Sequence, residues 1–294
     1  MEKILEIKNL KKSYKDVLIL DNVSFSLKPR EIVGLVGANG AGKTTLMKLI
    51  LGFIYKDSGE VKFFNNTSYT NNHELMSKIG FLIDTRLYEH LTAKENIKIQ
   101  ILYRNIKNEK EIWDRANYLL ELVGLKDVNK KVSEYSFGMK QRLSLTLALL
   151  CDVKLLILDE PFVGLDPKGI EGVKKFIKEI VEKEEIALLI SSHQMKEIDE
   201  LCDRFLFIKD KKIENHNLNK NKLYILELSK NIENLKIDKQ SIVTIDNKIV
   251  IKEKNELNRI LKLLSNQDID IADISIEMDS INKVFNEVKN EKSS

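Results

Sequence analysis

One run in the chain sets glycines, a lysine and two threonines at spacings that suit an anion: Gly37-Ala38-Asn39-Gly40-Ala41-Gly42-Lys43-Thr44-Thr45. Residues 37–44 satisfy G-x-x-x-x-G-K-[ST] in full. They lie between a short apolar run at 32–36 and a helical pattern at 44–51, the strand–loop–helix context the motif requires. Glycines let successive backbone N–H groups turn inward around phosphate oxygens, and a helix start adds partial positive charge. Lys43 is expected to reach the β- and γ-phosphates and Thr44 to ligate Mg²⁺. A glycine-rich strand-to-helix turn that binds nothing would have the same composition; the flanking elements favour the phosphate reading.

A second candidate is Leu155-Leu156-Ile157-Leu158-Asp159-Glu160, an apolar strand pattern ending in two acids. The carboxyl end of a parallel strand is where open α/β sheets bind ligands. Asp159 would hold Mg²⁺ through water, and Glu160 would polarise an attacking water. The blander alternative is a solvated exit from the strand. The run at 186–190 leads likewise into Ser191-Ser192-His193, where His193 either touches a γ-phosphate or makes a structural hydrogen bond.

These residues need a frame to bring them together. Residues 4–10 and 23–27 alternate as half-buried strands, and 81–83 reads as a short strand. Thr92-Ala93-Lys94-Glu95 is a capping box, and the chain is mostly helical from there to about 150. The continuous apolar runs 153–158 and 186–190 fit buried parallel strands. The expected architecture is an α/β core with a helical insertion at about 73–150. After Lys209 the composition turns polar, and 210–222 reads as a linker. Strands at 223–228, 242–245, 249–251 and 271–277, a helix at 256–264 and a last helix from Ser280 predict a small α+β domain over 222–294. Its helix places Leu257, Ile260, Leu261 and Leu264 on one apolar face. The domain is read as a packed appendix or as a regulatory surface, and 289–294 as a frayed end.

Composition removes other classes. Lys+Arg 48 against Asp+Glu 45 leaves +3, too little for a strong nucleic-acid field. Glycine and proline stop at Gly172 and Pro167, which excludes collagen-like or Gly/Pro-rich disorder. The first ten residues carry four charges and predict no signal peptide, and no apolar run approaches the ~20 residues of a span. Cys151 and Cys202 sit in apolar patterns without CxxC spacing and read as buried thiols of a cytosolic chain. The four histidines lack metal-ligand spacing.

Taken together, these motifs resemble the ATP-binding subunit of ABC transporters. Tyr135-Ser136-Phe137-Gly138-Met139-Lys140-Gln141-Arg142 is similar to that family's signature sequence, and Gly164-Leu165-Asp166-Pro167 to its D-loop. Order and spacing match over about 1–215. The resemblance implies a P-loop NTPase core and ATP with Mg²⁺ as ligands. It implies catalytic roles for Glu160, His193 and Lys43, and nucleotide contacts by Tyr14, Gly37, Asn39, Gly40, Ala41, Gly42, Lys43, Thr44 and Thr45. Tyr14 stands where an aromatic residue stacks on adenine. Such subunits work in pairs, so Ser136 and Gly138 would contact the partner's nucleotide; a serine-capped helix start fits the same residues. The second subunit would be an identical chain or a paralogue. A separately encoded transmembrane permease would hold the pair at the cytoplasmic face of the membrane, with no nucleic acid involved.

Departures from the family pattern are informative. Tyr135, Phe137 and Met139 replace the common Leu, Gly and Gln, and Arg30 replaces a frequent glycine. Asp84 stands where the family places a Gln that reaches Mg²⁺. An acid there is similar to the bacitracin and lantibiotic-resistance transporters, whose loop carries Glu. Asp is one methylene shorter, so contact with the metal would run through water. Leu87 and Tyr88 are expected either in ordinary core or in a groove receiving a permease helix. The resemblance thus implies an ATPase that powers an exporter, of antimicrobial peptides. The competing class is a soluble ABC ATPase acting on ribosomes or DNA, against which stand a single phosphate loop and the lack of long coiled coils or zinc cysteines.

Overall fold

The computed structural model describes residues 3–84, 86–103, 108–193, 195–217, 222–229, 242–245, 248–251, 254–265, 269 and 271–278. The chain forms two compact units, Met1–Asn217 and Leu218–Ser294.

In the first unit, β1 (Leu5–Tyr14) pairs antiparallel with β2 (Val17–Leu27) and, on its other edge, with β4 (Ser58–Phe63). A six-stranded sheet follows, in the order β5 (Ile79–Leu82), β6 (Leu155–Asp159), β7 (Ala187–Ser192), β3 (Ile32–Val36), β8 (Arg204–Lys209), β9 (Lys212–Asn217). The first five are parallel; β9 runs antiparallel on the edge. All five residues of β3 are buried, as are Leu155–Leu158 of β6 and all of β7, so these runs show continuous hydrophobicity instead of alternation. One shared core joins both sheets through Leu10, Leu20, Leu35, Leu46, Ile157 and Leu189.

Helix α1 (Lys43–Ile50) leaves the end of β3, and the short α2 (His73–Ser77) precedes β5. Then come α3 (Ala93–Tyr103), α4 (Glu109–Leu122) and α5 (Phe137–Ala148), with α6 (Pro167–Glu184) after β6 and the short α7 (Met195–Ile198) after β7. The capping box at α3 forms as the sequence predicts: Glu95 N–H donates to Thr92 Oγ1 at 3.2 Å, and Thr92 N–H to Glu95 Oε2 at 2.7 Å. Within 73–150, β5 belongs to the core sheet, so the helical part runs from α3 to α5.

The polar stretch after Lys209, expected as a linker, begins instead with an ordered strand. Asp210 and Lys211 both take positive φ (48° and 68°), turning the chain in two residues to pair β9 with β8. Arg30 occupies a left-handed position too (φ 62°), and its guanidinium meets Glu185 Oε1 at 2.7 Å. A glycine would take that turn without the ~1 kcal/mol cost of a Cβ.

The second unit is a four-stranded antiparallel sheet in the order β11 (Ile242–Ile245), β12 (Lys248–Ile251), β10 (Lys222–Leu228), β13 (Ile271–Met278). Helix α8 (Lys254–Ser265) packs Ile260 and Leu264 against Leu226, Leu228, Ile249 and Ile251, with Leu257 and Leu261 at the margin. The helix expected from Ser280 and the end at 289–294 lie outside the described residues. Cys151 and Cys202 are free and buried. No helix among the described residues is long and apolar enough to cross a membrane.

Candidate functional site

The sheet order brings the sequence motifs to one edge. Strand β7 lies between β3 and β6, with Val36 opposite Ser192 and Asp159 opposite Ser191. Three strand ends therefore converge: the loop at 37–42, the acids 159–160, and Ser191-Ser192-His193. The loop itself is shaped by Gly42. Its φ is 106°, and a Cβ there would come within 3.1 Å of both Ile19 and Leu20 on β2. Only glycine turns the chain into α1 while lying this close to the hairpin. A cavity of about 380 Å³ opens between Ile19, Asn39, Gly40, Gly42, Lys43, Thr44, Thr45, Asp159 and Glu160.

Its walls are polar and mutually bonded. Lys43 is buried, and its ammonium donates to the carbonyls of Gly37 (2.9 Å) and Ala38 (3.4 Å), 4.0 Å from Glu160 Oε1. Thr44 Oγ1 donates to Asp159 Oδ2 at 2.7 Å. Ser191 Oγ donates to Asp159 Oδ1 at 2.5 Å and accepts the Glu160 N–H at 3.0 Å. His193 N–H donates to Glu160 Oε2 at 3.2 Å, and its Nδ1 lies 2.7 Å from the same oxygen. Glu160 itself sits at φ 51°. A non-glycine residue there costs on the order of 1 kcal/mol and persists only where neighbours hold it, as Ser191 and His193 do. Turned this way, its carboxylate faces the cavity and not the sheet.

A buried cation at the start of a helix accepts a polyanion, and a hydroxyl with a carboxylate 2.7 Å away offers the hard oxygen ligands that a small divalent cation takes. Of the sequence-predicted residues, Asn39, Gly40, Gly42, Lys43, Thr44, Thr45, Asp159 and Glu160 line this cavity. Gly37 is buried beneath it, and Ala41 packs toward the core. Tyr14 ends β1 on the hairpin that also supplies Ile19; the residue is 45% exposed, with Lys12 Nζ 5.1 Å from the ring centroid. Asp84, also at positive φ (48°), is engaged elsewhere: Oδ2 meets Lys48 Nζ at 2.7 Å, and this contact raises the lysine's pKa above its ordinary value. Ser191, Ile19 and Lys48 adjoin the site without belonging to any motif, and no local sequence signal marks their part in it.

The segment 135–142 lies outside the cavity lining. Ser136 caps α5 by accepting the Met139 N–H at 3.3 Å, and Ser136 and Phe137 are exposed. The helix is seated on the loop after Glu160: Gln141 Nε2 donates to the Pro161 carbonyl at 2.7 Å, and a Cβ on Gly164 (φ 76°) would lie 2.9 Å from the Phe137 ring. A further apolar surface surrounds β5, where Phe53 stands edge-on to Phe81 at 5.2 Å. Leu87 is half-buried, whereas Tyr88 is exposed and hydrogen-bonded to the Tyr103 side chain, which raises its pKa.

Comparison with known proteins gives these features a context. The family model described as ABC transporter matches residues 20–163. The bacitracin transport ATP-binding protein BcrA of Bacillus licheniformis is 32% identical over 305 residues, covering 97% of each chain. The lantibiotic transport ATP-binding protein SrtF of Streptococcus pyogenes is 39% identical over 212 residues, 71% of this chain and 89% of that one. Among solved structures, a dimeric ATP-binding cassette in a post-hydrolysis state with ADP and Pi superposes with a TM-score of 0.65 at 26% identity. The match covers 73% of this chain and 99% of that one.

Proposed function

The chain belongs to the ABC transporter ATP-binding family, an ATP-binding and ATP-hydrolysing subunit, and on that premise we propose that it powers the export of an antimicrobial peptide of bacitracin or lantibiotic type. Support for the substrate class comes from the names of the relatives and from an acid, Asp84, in the loop after β5.

The observation that carries the mechanism is the bonded chain Thr44–Asp159–Ser191–Glu160–His193 at three adjacent strand ends. In this reading Tyr14 stacks on adenine, and the N–H groups of the loop from Gly37 to Thr45 surround the phosphates, that of Ala41 only once it leaves the Ala38 carbonyl it meets at 3.0 Å. Lys43 leaves its loop carbonyls for the β- and γ-phosphates. Thr44, Asp159 through water, and Asp84, also through water, would hold Mg²⁺, which would supply neutralisation of phosphate charge. Glu160 orients the attacking water and accepts its proton, and His193 holds the Glu160 carboxylate while facing the γ-phosphate. Ser136 and Gly138, at the exposed start of α5, contact the nucleotide of a second subunit, an identical chain or a paralogue.

Leu87 and Tyr88 belong to the surface that receives a helix of a separately encoded permease, which holds the pair at the cytoplasmic face of the membrane. The unit after residue 217 is an accessory domain outside the ATPase, whose core spans about 1–215. Purification of the chain from native membranes tests the assignment. A co-purifying hydrophobic permease is expected, and association with ribosomes or DNA instead would sink it. In the same cells, Tyr88→Ala is expected to weaken permease binding and peptide resistance together.

A further inference from the structure

Arg115, in the middle of α4, makes three side-chain bonds to two other elements. Its Nη1 and Nη2 meet the two oxygens of Glu184 at 2.6 Å each, and Nε donates to the Leu149 carbonyl at 3.0 Å. Glu184 is the last residue of α6, and Leu149 caps the C-terminus of α5. The pair is largely sheltered, with side chains 22% and 15% exposed. A planar guanidinium matches a carboxylate in this two-bond geometry, and a lysine cannot reproduce it.

The neighbouring contacts define what this bond does. One turn along α4, Tyr118 accepts a hydrogen bond from Lys183 at 3.0 Å, so α4 and α6 are tied where α6 ends. Toward the start of α6 the same seam opens into a cleft of about 660 Å³ between Glu121, Arg142, Gly172, Phe176 and Glu179. A Cβ on Gly172 would meet nothing within 4 Å. The helical segment is thus bonded to the core at one end of the seam and unfilled at the other. Polar contacts hold helix α5 near its start, through Lys140 on Glu89 (2.8 Å), Gln141 on Pro161 (2.7 Å) and Arg142 on the Gly124 carbonyl (3.5 Å), while Arg115 on Leu149 holds its end. Twelve residues of helix form a stiff rod of about 18 Å, so the anchor at one end helps to set where the other end stands.

We propose that Arg115 is a positioning residue for ATP turnover: by tying α4 and the end of α5 to Glu184, it sets where Ser136 and Gly138 stand relative to the core strands. This rests on the reading of Ser136 and Gly138 as contacts to the partner's nucleotide. Arg115 touches no residue of the chain's own phosphate pocket. Its loss therefore acts on turnover and pairing and leaves nucleotide binding by the same chain intact.

The test uses the full chain and compares Arg115→Ala, Arg115→Lys and Ser136→Ala, each assayed well below its melting temperature. Three quantities are read: nucleotide affinity of the dilute chain, kcat, and the protein concentration giving half-maximal turnover. Misplacing a reacting group by about 1 Å costs up to ~100-fold, so Arg115→Ala is expected to lower kcat 10- to 100-fold with nucleotide affinity within about twofold. Arg115→Lys should fall between it and the parent, and half-maximal turnover should require more protein in both. A folded Arg115→Ala with unchanged kcat overturns the proposal, as does one whose nucleotide affinity falls in step with kcat. If Arg115→Ala does not fold, Glu184→Gln decides the matter: reduced kcat with unchanged affinity supports the role, and unchanged kcat removes it. Unchanged turnover in Ser136→Ala would instead overturn the underlying reading, and the proposal with it.

Discussion

The pocket at the ends of β3, β6 and β7 and the exposed start of α5 differ in how far the chain completes each by itself. In the pocket the lysine, the two acids and their neighbours are bonded to groups of the same chain: Lys43 to its own loop, Thr44 and Ser191 to Asp159, His193 to Glu160. At the start of α5 the inward face is just as well fixed, by Gln141 on Pro161 and Phe137 on Gly164, while Ser136 and Phe137 remain exposed. One region closes its polar side chains on one another; the other leaves its first residues open to solvent. The difference agrees with the proposal that this chain works as one of a pair. In that proposal the exposed N-terminus of α5, an end of a helix that favours anions, is half of a shared site.

Four substitutions bear on that contrast. Lys43→Ala removes the buried cation from the self-contained site. Nucleotide affinity should fall about a thousandfold, the scale of breaking a buried charge interaction, as read by a fluorescent-nucleotide titration. Retained affinity would break the contrast at its stronger end. Glu160→Gln should lower turnover by about 10²–10³ while ATP still binds, the range for a general base, and ATP-bound pairs should accumulate in size-exclusion chromatography. Unchanged hydrolysis would move the base elsewhere.

Ser136→Ala tests the presenting face: turnover should drop about 10-fold or more, as for a lost transition-state donor, with the chain's own nucleotide affinity unchanged. A parallel loss of affinity would mean that the two regions are a single site within one chain. The smallest effect is expected for Tyr14→Ala, about 5- to 20-fold in affinity for ATP and little for inorganic triphosphate, the lower part of the ~1–3 kcal/mol for one stacked base. Equal losses for both ligands would detach Tyr14 from the base.

The phosphate loop and the paired acids are legible in the sequence because local chemistry determines them. Gly42 must adopt a positive φ, and a continuous apolar run before Asp159 can only be a buried strand or helix. The hairpin of β8 and β9 is not legible. Its two-residue turn, Asp210-Lys211, lacks the glycine that signals such turns, and β9 is polar because it lies at a sheet edge. The role of Ser191 is equally hidden. A serine at the end of a strand has no local mark, and its bonds to Asp159 and Glu160 depend on β7 lying beside β6. Asp84 shows the same limit, since its lysine partner comes from a helix 36 positions earlier in the chain.

Which groups this protein brings to a phosphate is written in single residues and their near neighbours: the conformation of a glycine, the charge of a lysine, the pairing of two acids. What each of those groups faces is set by the folded chain. Placing β7 between β3 and β6 joins residues more than a hundred positions apart into one bonded chain. Seating α5 on the loop at 161–164 leaves Ser136 turned outward. Both depend on strand order and helix packing, which long-range burial selects and no local run of residues encodes.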